Sequence, residues 1–436
     1  MNNINSWSWH GPVRVDSNLA VQSESGRLSV DVNGNAWVTF YEYVSSNDTA
    51  NIWVNTRPVG GALQTATRLP QVAGWPQLTY PDIAATASGA VVAFQARGSA
   101  IGSARSVRAA WLNPDHSVVG GVQRVDSVSS DTPQLSQRRS LATDAAGNAI
   151  LAWGENQGFY AVSAAPGGTF SSPITINSAS NFQWSMVNVA AGAAGKAYVG
   201  WHNDSTAAVT PLFPNGNILT MGAPLTTQTG VSIVAPVVAA KGQTAMTAWR
   251  STFGHDWRLF SGGSWSPNNT ITTGGDGWNF NHTLAMNNTG QAVLLWREYP
   301  QNGADSWVGQ VWASFFDGFN WSTPQRLSAP GTNRKAWWAH VDINDVGAAV
   351  ASWADFDPSG TYTRIWASVL RYDGGAPAWQ APVTIDADSP NATLAERPEN
   401  VRNIWVGLNP GGTTAYVTWK ETDPSGTPRT WLNWLE

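Results

Sequence analysis

SLATDAAGNAILAW (Ser140–Trp153) sets two strands and the turn between them in one short stretch. Ser140–Asp144 reads as a first strand, and Ala145–Asn148 as a tight turn in which Gly147 is free to take φ > 0. Ala149–Trp153 reads as the second strand. Ala149, Ile150, Leu151 and Ala152 are apolar on both faces, which suits a strand sandwiched between neighbouring sheets better than one facing water. A third strand is expected at Phe159–Ala164, a Pro-Gly-Gly turn at Pro166–Gly168, and a fourth strand around Ser172–Ile176.

The same unit recurs along the whole chain. Turn glycines fall at Gly34, Gly89, Gly147, Gly195, Gly242, Gly290, Gly347 and Gly412, with spacings of 55, 58, 48, 47, 48, 57 and 65 residues. Each second strand ends in an aromatic: Phe40, Phe94, Trp153, Trp201, Trp249, Trp296, Trp353 and Trp419. Third strands often carry Ile-Trp or Val-Trp, as at Ile52-Trp53, Val311-Trp312 and Ile365-Trp366. Repeats of this length made of short strands predict propeller blades. The turn from third to fourth strand occurs seven times, and the chain stops at Glu436 just after the third strand Arg429–Leu435. Arg14-Val15-Asp16-Ser17 repeats Arg124-Val125-Asp126-Ser127, so the N-terminus is expected to supply the missing strand. The expectation is therefore one all-β domain over residues 1–436, a β-propeller of eight four-stranded blades with one-plus-three closure. Residues 8–17 would complete the last blade, 402–436, and hide its edge. The alternative is seven blades with one repeat degenerate.

The unit Ser140–Trp153, together with RIWASVLRYDGGAPAWQAPVTIDA (Arg364–Ala387), resembles the repeats of exported bacterial propellers, which are similar in outline to sialidase-like and lectin propellers. The resemblance covers nearly the whole chain and implies a fold rather than an activity. The Asp-box of sialidases (Ser-x-Asp-x-Gly-x-x-Trp) is absent in clean form. The features of eight-bladed quinoprotein dehydrogenases are not recognisable either, so the resemblance implies no quinone and no other cofactor.

Composition narrows the partner classes. Charged residues are only 12% of the chain, and four of its 24 basic residues are lysine. A net charge of −5 gives no general attraction for nucleic acid. No cysteine is present, which excludes disulfides, thiolate catalysis and Cys-type zinc sites. The longest apolar stretch, near Val231–Ala240, is far short of a membrane span. Low lysine with abundant Ala, Gly, Asn, Ser and Thr resembles exported bacterial β-proteins. The expected location is secreted or cell-surface, with the export signal not present in this chain. The sequence names no oligomeric state.

The loops joining second to third strands, and one blade to the next, share a face on which function usually lives. They bring together Trp75 and Tyr80, Arg138 and Arg139, Trp184, Trp278 and His282, Trp338 and His340, and Arg402 and Trp405. Aromatic planes beside arginines and carboxylates suit sugar recognition, since a pyranose face stacks on a ring while its hydroxyls take planar donors and acceptors. The ligand-binding candidates are Trp184, Trp278, Trp338, Arg297, Arg402 and Glu421. If the chain is an enzyme, the catalytic candidates are His282, His340, Glu298 and Asp355, for a cofactor-independent polysaccharide lyase or glycoside hydrolase. His282 and His340 are read as equivalent positions of adjacent repeats, while His10 and His116 are read as inert. The recurring carboxylate two residues after the aromatic (Glu42, Glu155, Glu298, Asp355, Glu421) is read as a repeated ion pair or hydrogen bond, or as part of binding sites. No metal-ligand spacing is found, and Asp31–Asn35 is an inter-strand turn with only a faint likeness to a calcium loop. The preferred expectation is a lectin-like, carbohydrate-binding propeller. An enzyme is the alternative, and a protein-docking platform the third.

Overall fold

The computed structural model describes residues 7–16, 21–44, 48–98, 104–126, 133–135, 138–155, 158–178, 187–203, 205–229, 236–251, 254–272, 279–298, 309–328, 335–356, 363–371, 376–386, 403–412, 414–423, 425 and 427–436. These residues form strands and turns with no helix, and none is therefore long and apolar enough to cross a membrane as a helix.

Each repeat is an antiparallel meander. In the third, Leu141–Thr143 pairs with Ala149–Glu155, which pairs with Gly158–Ala164, which pairs with Ile174–Ser178. The fourth strand begins two residues later than its sequence suggests, and its register with the third shifts between Phe159 and Tyr160, opposite Ile176. The first two repeats share one sheet through a single parallel pair, Ala50 with Gln77. No hydrogen-bonded sheet among the described residues closes on itself. The last sheet runs Val13–Arg14, Pro428–Leu435, Ala415–Thr422, Trp405–Leu408, so an N-terminal strand lies on the edge of the C-terminal ones.

First strands follow one another around a common cavity. Gln22–Val30 lies beside Gln77–Thr86, and Leu141–Thr143, Asn188–Ala191, Val237–Lys241, Asn279–Met286, Lys335–Ile343 and Trp405–Leu408 come next in turn. Trp405–Leu408 in turn neighbours Gln22–Val30. This is a propeller arrangement. The core is divided among the seams between successive sheets, as with Leu151 and Trp153 against Val107 and Trp111, or Ile150 and Phe159 against Val199 and Trp201. All eight aromatics that end second strands are 3% exposed or less, which makes them wedges in those seams.

The turns between first and second strands repeat one device. Asp144 accepts the backbone N–H of Ala146 and Asn148 and, with its other oxygen, the N–H of Gly195 in the next repeat (2.9, 2.9 and 2.7 Å). Asp31 caps its own turn the same way, so Asp31–Asn35 is an Asx turn and its carboxylate is fully engaged. Asn287 and Asn344 each donate to a carbonyl of the following repeat, Asn344 and Gly412 respectively. Gly147 takes φ +81, as its turn requires, whereas Gly412 turns without a positive φ.

Candidate functional site

The first strands enclose a cavity of about 1120 Å³ that runs their full length. Its middle is lined by small apolar side chains such as Ala84, Ala142, Ala190, Ala239 and Ala285. Small residues keep the bore open where several strands converge on one axis. The two ends differ. At the turn end the wall carries Asp31, Asp144, Lys241, Asn288 and Asp345; at the other it carries Arg138, Arg139, His282, Trp338, His340, Asn403 and Trp405.

The second end is shaped by β-bulges. In four first strands the register slips at an equivalent place: Glu24/Arg27, Thr79/Asp82, Phe280/Thr283 and Trp337/His340. A bulge bends its strand and re-aims the residues within it. Tyr80 (φ 51°) and Trp338 (φ 50°) occupy the same bulge position in two repeats, and both hold the left-handed conformation that favours glycine. Tyr80 is about half exposed, beside Tyr41 at 6.2 Å between ring centroids.

Around Trp405 the bulged end becomes cationic. The Arg27 guanidinium lies 4.2 Å from the Trp405 ring centroid and that of Arg139 lies 5.2 Å from it. The His340 ring is 4.6 Å from the same indole, and its Nδ1 accepts the Val406 N–H at 3.2 Å. With Nδ1 accepting, the neutral ring carries its proton on Nε2. Burial, reinforced by Arg139 and Arg27, holds the His340 pKa down to about 3. Burial also lowers Arg27 and Arg138 to about 10, which leaves both charged at neutral pH.

The structure separates the candidate catalytic residues. His340 pairs with Ser352, and the residue in the same place in the preceding repeat is Thr283, opposite Leu295. His282 falls one residue short, inside the bulge, so the two histidines are not equivalent as the spacing suggested. His282 is buried, with its ring 5.4 Å from that of His255, which in turn lies 5.0 Å from Trp296. Arg297 reaches the Ala336 carbonyl (3.4 Å) and lies over Trp337 at 4.0 Å. Trp184, Trp278 and Arg402 lie outside the described residues. His116, read as inert, is buried and bridges Thr56 and Thr67. His10 stacks on Trp434 at 5.2 Å.

Glu298, Asp355 and Glu421 are not among the residues lining the channel; Glu298 and Asp355 are buried and Glu421 is half-buried. Glu155 and Glu421 accept the indole N–H of Trp153 and Trp419 (2.8 and 2.9 Å), which accounts for a carboxylate two residues after the wedge. Burial raises Glu298 above the usual carboxylate range. Burial, then the nearby Asp16, raises Glu42 to about 7, and burial, then Glu421, raises Asp386 to about 7. Asp16, Asp126 and Asp386 are themselves repeats of one motif, with Arg124–Asp126 at 3.0 Å and Arg364–Asp386 at 3.7 Å. Among the described residues, no group of three or more His, Asp or Glu is placed to hold a metal ion.

Arg27 was not singled out by its sequence. It shares a repeat position with His340, as their partners Thr39 and Ser352 show, and aligning the repeats on the strand after the turn would have found it.

No protein-family model matches the chain, and no curated protein matches it. Among solved structures it is similar to a protein of unknown function from Dyadobacter fermentans, at 11% identity and a TM-score of 0.45 over 99% of each chain. It is also similar to an α-L-arabinanase from Penicillium chrysogenum, at 10% identity and a TM-score of 0.37 over 98% of each chain. A third likeness is to the NanB sialidase of Streptococcus pneumoniae, at 9% identity and a TM-score of 0.37, over 96% of this chain and 69% of that one. No activity comes with these likenesses.

Proposed function

We propose that the chain is one eight-bladed propeller over residues 1–436, closed by an N-terminal strand, and that it binds carbohydrate at the bulged end of its channel. Eight first strands in cyclic order around one cavity support the count, and pairing of Val13–Arg14 with Pro428–Leu435 supports the closure. The observation that carries the binding reading is the wall made of Trp338, Trp405, His340, Arg138 and Arg139, which offers flat rings beside fixed polar donors. Sugars are held by that combination of stacking and directional hydrogen bonds.

Binding is favoured over hydrolysis by where the carboxylates lie. None of Glu298, Asp355 and Glu421 lines the channel, and Glu421 accepts an indole N–H, so no pair of them is set to face a glycosidic bond in that cavity. His340 is a weak base with Nδ1 already occupied. We read the protein as secreted or cell-surface, acting on free or surface glycans without a cofactor.

A glycan array probed with the purified chain tests this, followed by incubation of each hit and an assay for new reducing ends or unsaturated products. Binding without cleavage is expected, with Trp338→Ala losing most of it. Cleavage would replace the binding reading with the enzyme one, and loss of both signals would sink the carbohydrate assignment.

A further inference from the structure

Two acid pairs flank the last sheet, and neither is satisfied as its counterpart elsewhere is. The motif Arg124-Val125-Asp126 supplies the counterpart. There Asp126 takes the Arg124 guanidinium through both oxygens (3.0 Å each) and the Ser106 hydroxyl (3.0 Å), while Glu155 accepts the Trp153 indole N–H (2.8 Å). Arg14-Val15-Asp16 repeats that motif where the last sheet meets the first. Asp16 accepts the Ser23 hydroxyl and meets Arg14 (2.5 Å), with Arg429 at 4.0 Å. The acid beside it, Glu42, follows a phenylalanine wedge, Phe40, so it has no indole N–H of its own to accept. One Glu42 oxygen is buried with no hydrogen-bond partner among the described residues.

The other side of the last sheet repeats the fault. Glu421 accepts the Trp419 indole N–H, but Asp386 beside it meets the Arg364 guanidinium at only 3.7 Å and has a buried oxygen without a partner among the described residues. A carboxylate that is buried, short of donors and next to a second carboxylate favours its protonated form. Burial and then the neighbouring acid hold both Glu42 and Asp386 up at about 7. The other charges on the packed strands serve other partners. Lys420 pairs with Glu24 (3.2 Å), Arg57 with Glu436 (2.9 Å), and Arg429 also with Asp423 (2.8 Å). Asp82 accepts backbone N–H groups, Arg27 lies over Trp405, Arg371 over Trp7, and Asp355 sits opposite Arg364.

Resting on the closure read above, we propose that these two acid pairs make closure of the ring pH-sensitive: in mild acid a proton on each pair holds the last sheet between its neighbours, and in alkaline solution both acids of each pair ionise and the sheet loosens. The linkage has one sign. Glu42 and Asp386 are raised above their ordinary values, 4.5 and 3.8, only while the sheets are packed. Their contribution to closure is therefore full below those values and is lost as pH rises through about 7. The loosened sheet carries Trp405, which lines the channel beneath Arg27 of the first sheet, so the channel wall should weaken over the same range.

Thiol labelling of the full chain tests the proposal, because the sequence has no cysteine of its own. Val15→Cys lies next to Asp16, and Val125→Cys holds the same place in the satisfied copy; the parent residues are 1% and 3% exposed. Each variant is labelled with 4,4′-dithiodipyridine from pH 5.5 to 8.5, and its rate is divided by that of a short peptide carrying the same cysteine. Protection in Val15→Cys is expected to fall about tenfold or more across that range and to return on re-acidification, while Val125→Cys changes less than about twofold. Adding Glu42→Gln and Asp386→Asn to Val15→Cys should remove most of the fall. Unchanged protection, an equal fall in both cysteine variants, or a fall that survives the two acid substitutions would each overturn the switch while leaving closure in place. Labelling of Val15→Cys at pH 5.5 as fast as its peptide would instead overturn the closure, and the switch with it.

Discussion

At the turn end of the channel, Asp31, Asp144, Asn287 and Asn344 use their side chains to cap their own turns, and all but Asp31 also bond to the next repeat. At the bulged end the same strands slip register, hold Tyr80 and Trp338 at positive φ, collect arginines, and leave two channel-lining indole N–H groups without acceptors. One end satisfies its polar groups internally and repeats from sheet to sheet. The other carries strain, charge and unused donors, and differs from sheet to sheet. Both ends belong to one scaffold, so the difference separates what holds the ring from what meets a ligand.

The largest effect should come from the seams that both ends share. Trp153→Ala removes a fully buried wedge and an indole bond to Glu155, and should destabilise the chain by about 4 kcal/mol in urea unfolding. Next comes the turn end. Asp144→Ala should cost about 2–3 kcal/mol, because it leaves turn and inter-repeat N–H groups without their acceptor, and it should not alter ligand affinity. A loss of binding in that variant at unchanged stability would break the contrast between the ends.

Two smaller effects depend on pH, with opposite signs. Glu42 has a folded pKa of about 7, raised above its unfolded value, so its burial penalty is full above that pH and disappears as pH falls towards the unfolded pKa. Glu42→Gln should therefore be more stable than the parent at pH 8, by roughly 1–2 kcal/mol, and lose that advantage near pH 4.5. His255 has a folded pKa of about 3, depressed by burial and then by Arg250. The unfolded chain binds its proton first, so stability should fall as pH drops from 6.5 towards 3. His255→Phe should flatten that part of the pH profile, and an unchanged slope would count against a neutral buried imidazole. The smallest effect belongs to the bulged end. Tyr80→Gly relieves a left-handed tyrosine that is half exposed, and should change stability by no more than about 1 kcal/mol, on the stabilising side.

The strand-turn-strand unit could be read from Ser140–Trp153 because its information is local: a turn glycine, apolar residues on both faces, and an aromatic wedge. The pairing of Val13–Arg14 with the C-terminal strands was legible for a related reason, since Arg14-Val15-Asp16-Ser17 repeats a fourth strand. The bulges were not legible. Whether Tyr80-Pro81 or Trp338-Ala339 adds a residue to its strand is decided by the partner strand, and composition carries no trace of it. The offset of His282 from His340 is not due to the bulge, which both strands share: counted back from the turn glycines, Arg27 and His340 hold a position that Thr283 fills in its repeat. The recurring carboxylates were visible as a pattern, but their service to the wedge indoles emerges only when Glu155 and Glu421 are seen in the seams.

The central claim, that ligand chemistry belongs to the bulged end of the channel, is tested most directly by a crystal structure of the chain soaked with the tightest-binding oligosaccharide. The account predicts sugar density against Trp338 and Trp405, with a polar group within hydrogen-bond distance of Arg138 or His340. Density at the turn end beside Asp31 and Asp345, or on the outer strands with the channel empty, would contradict it.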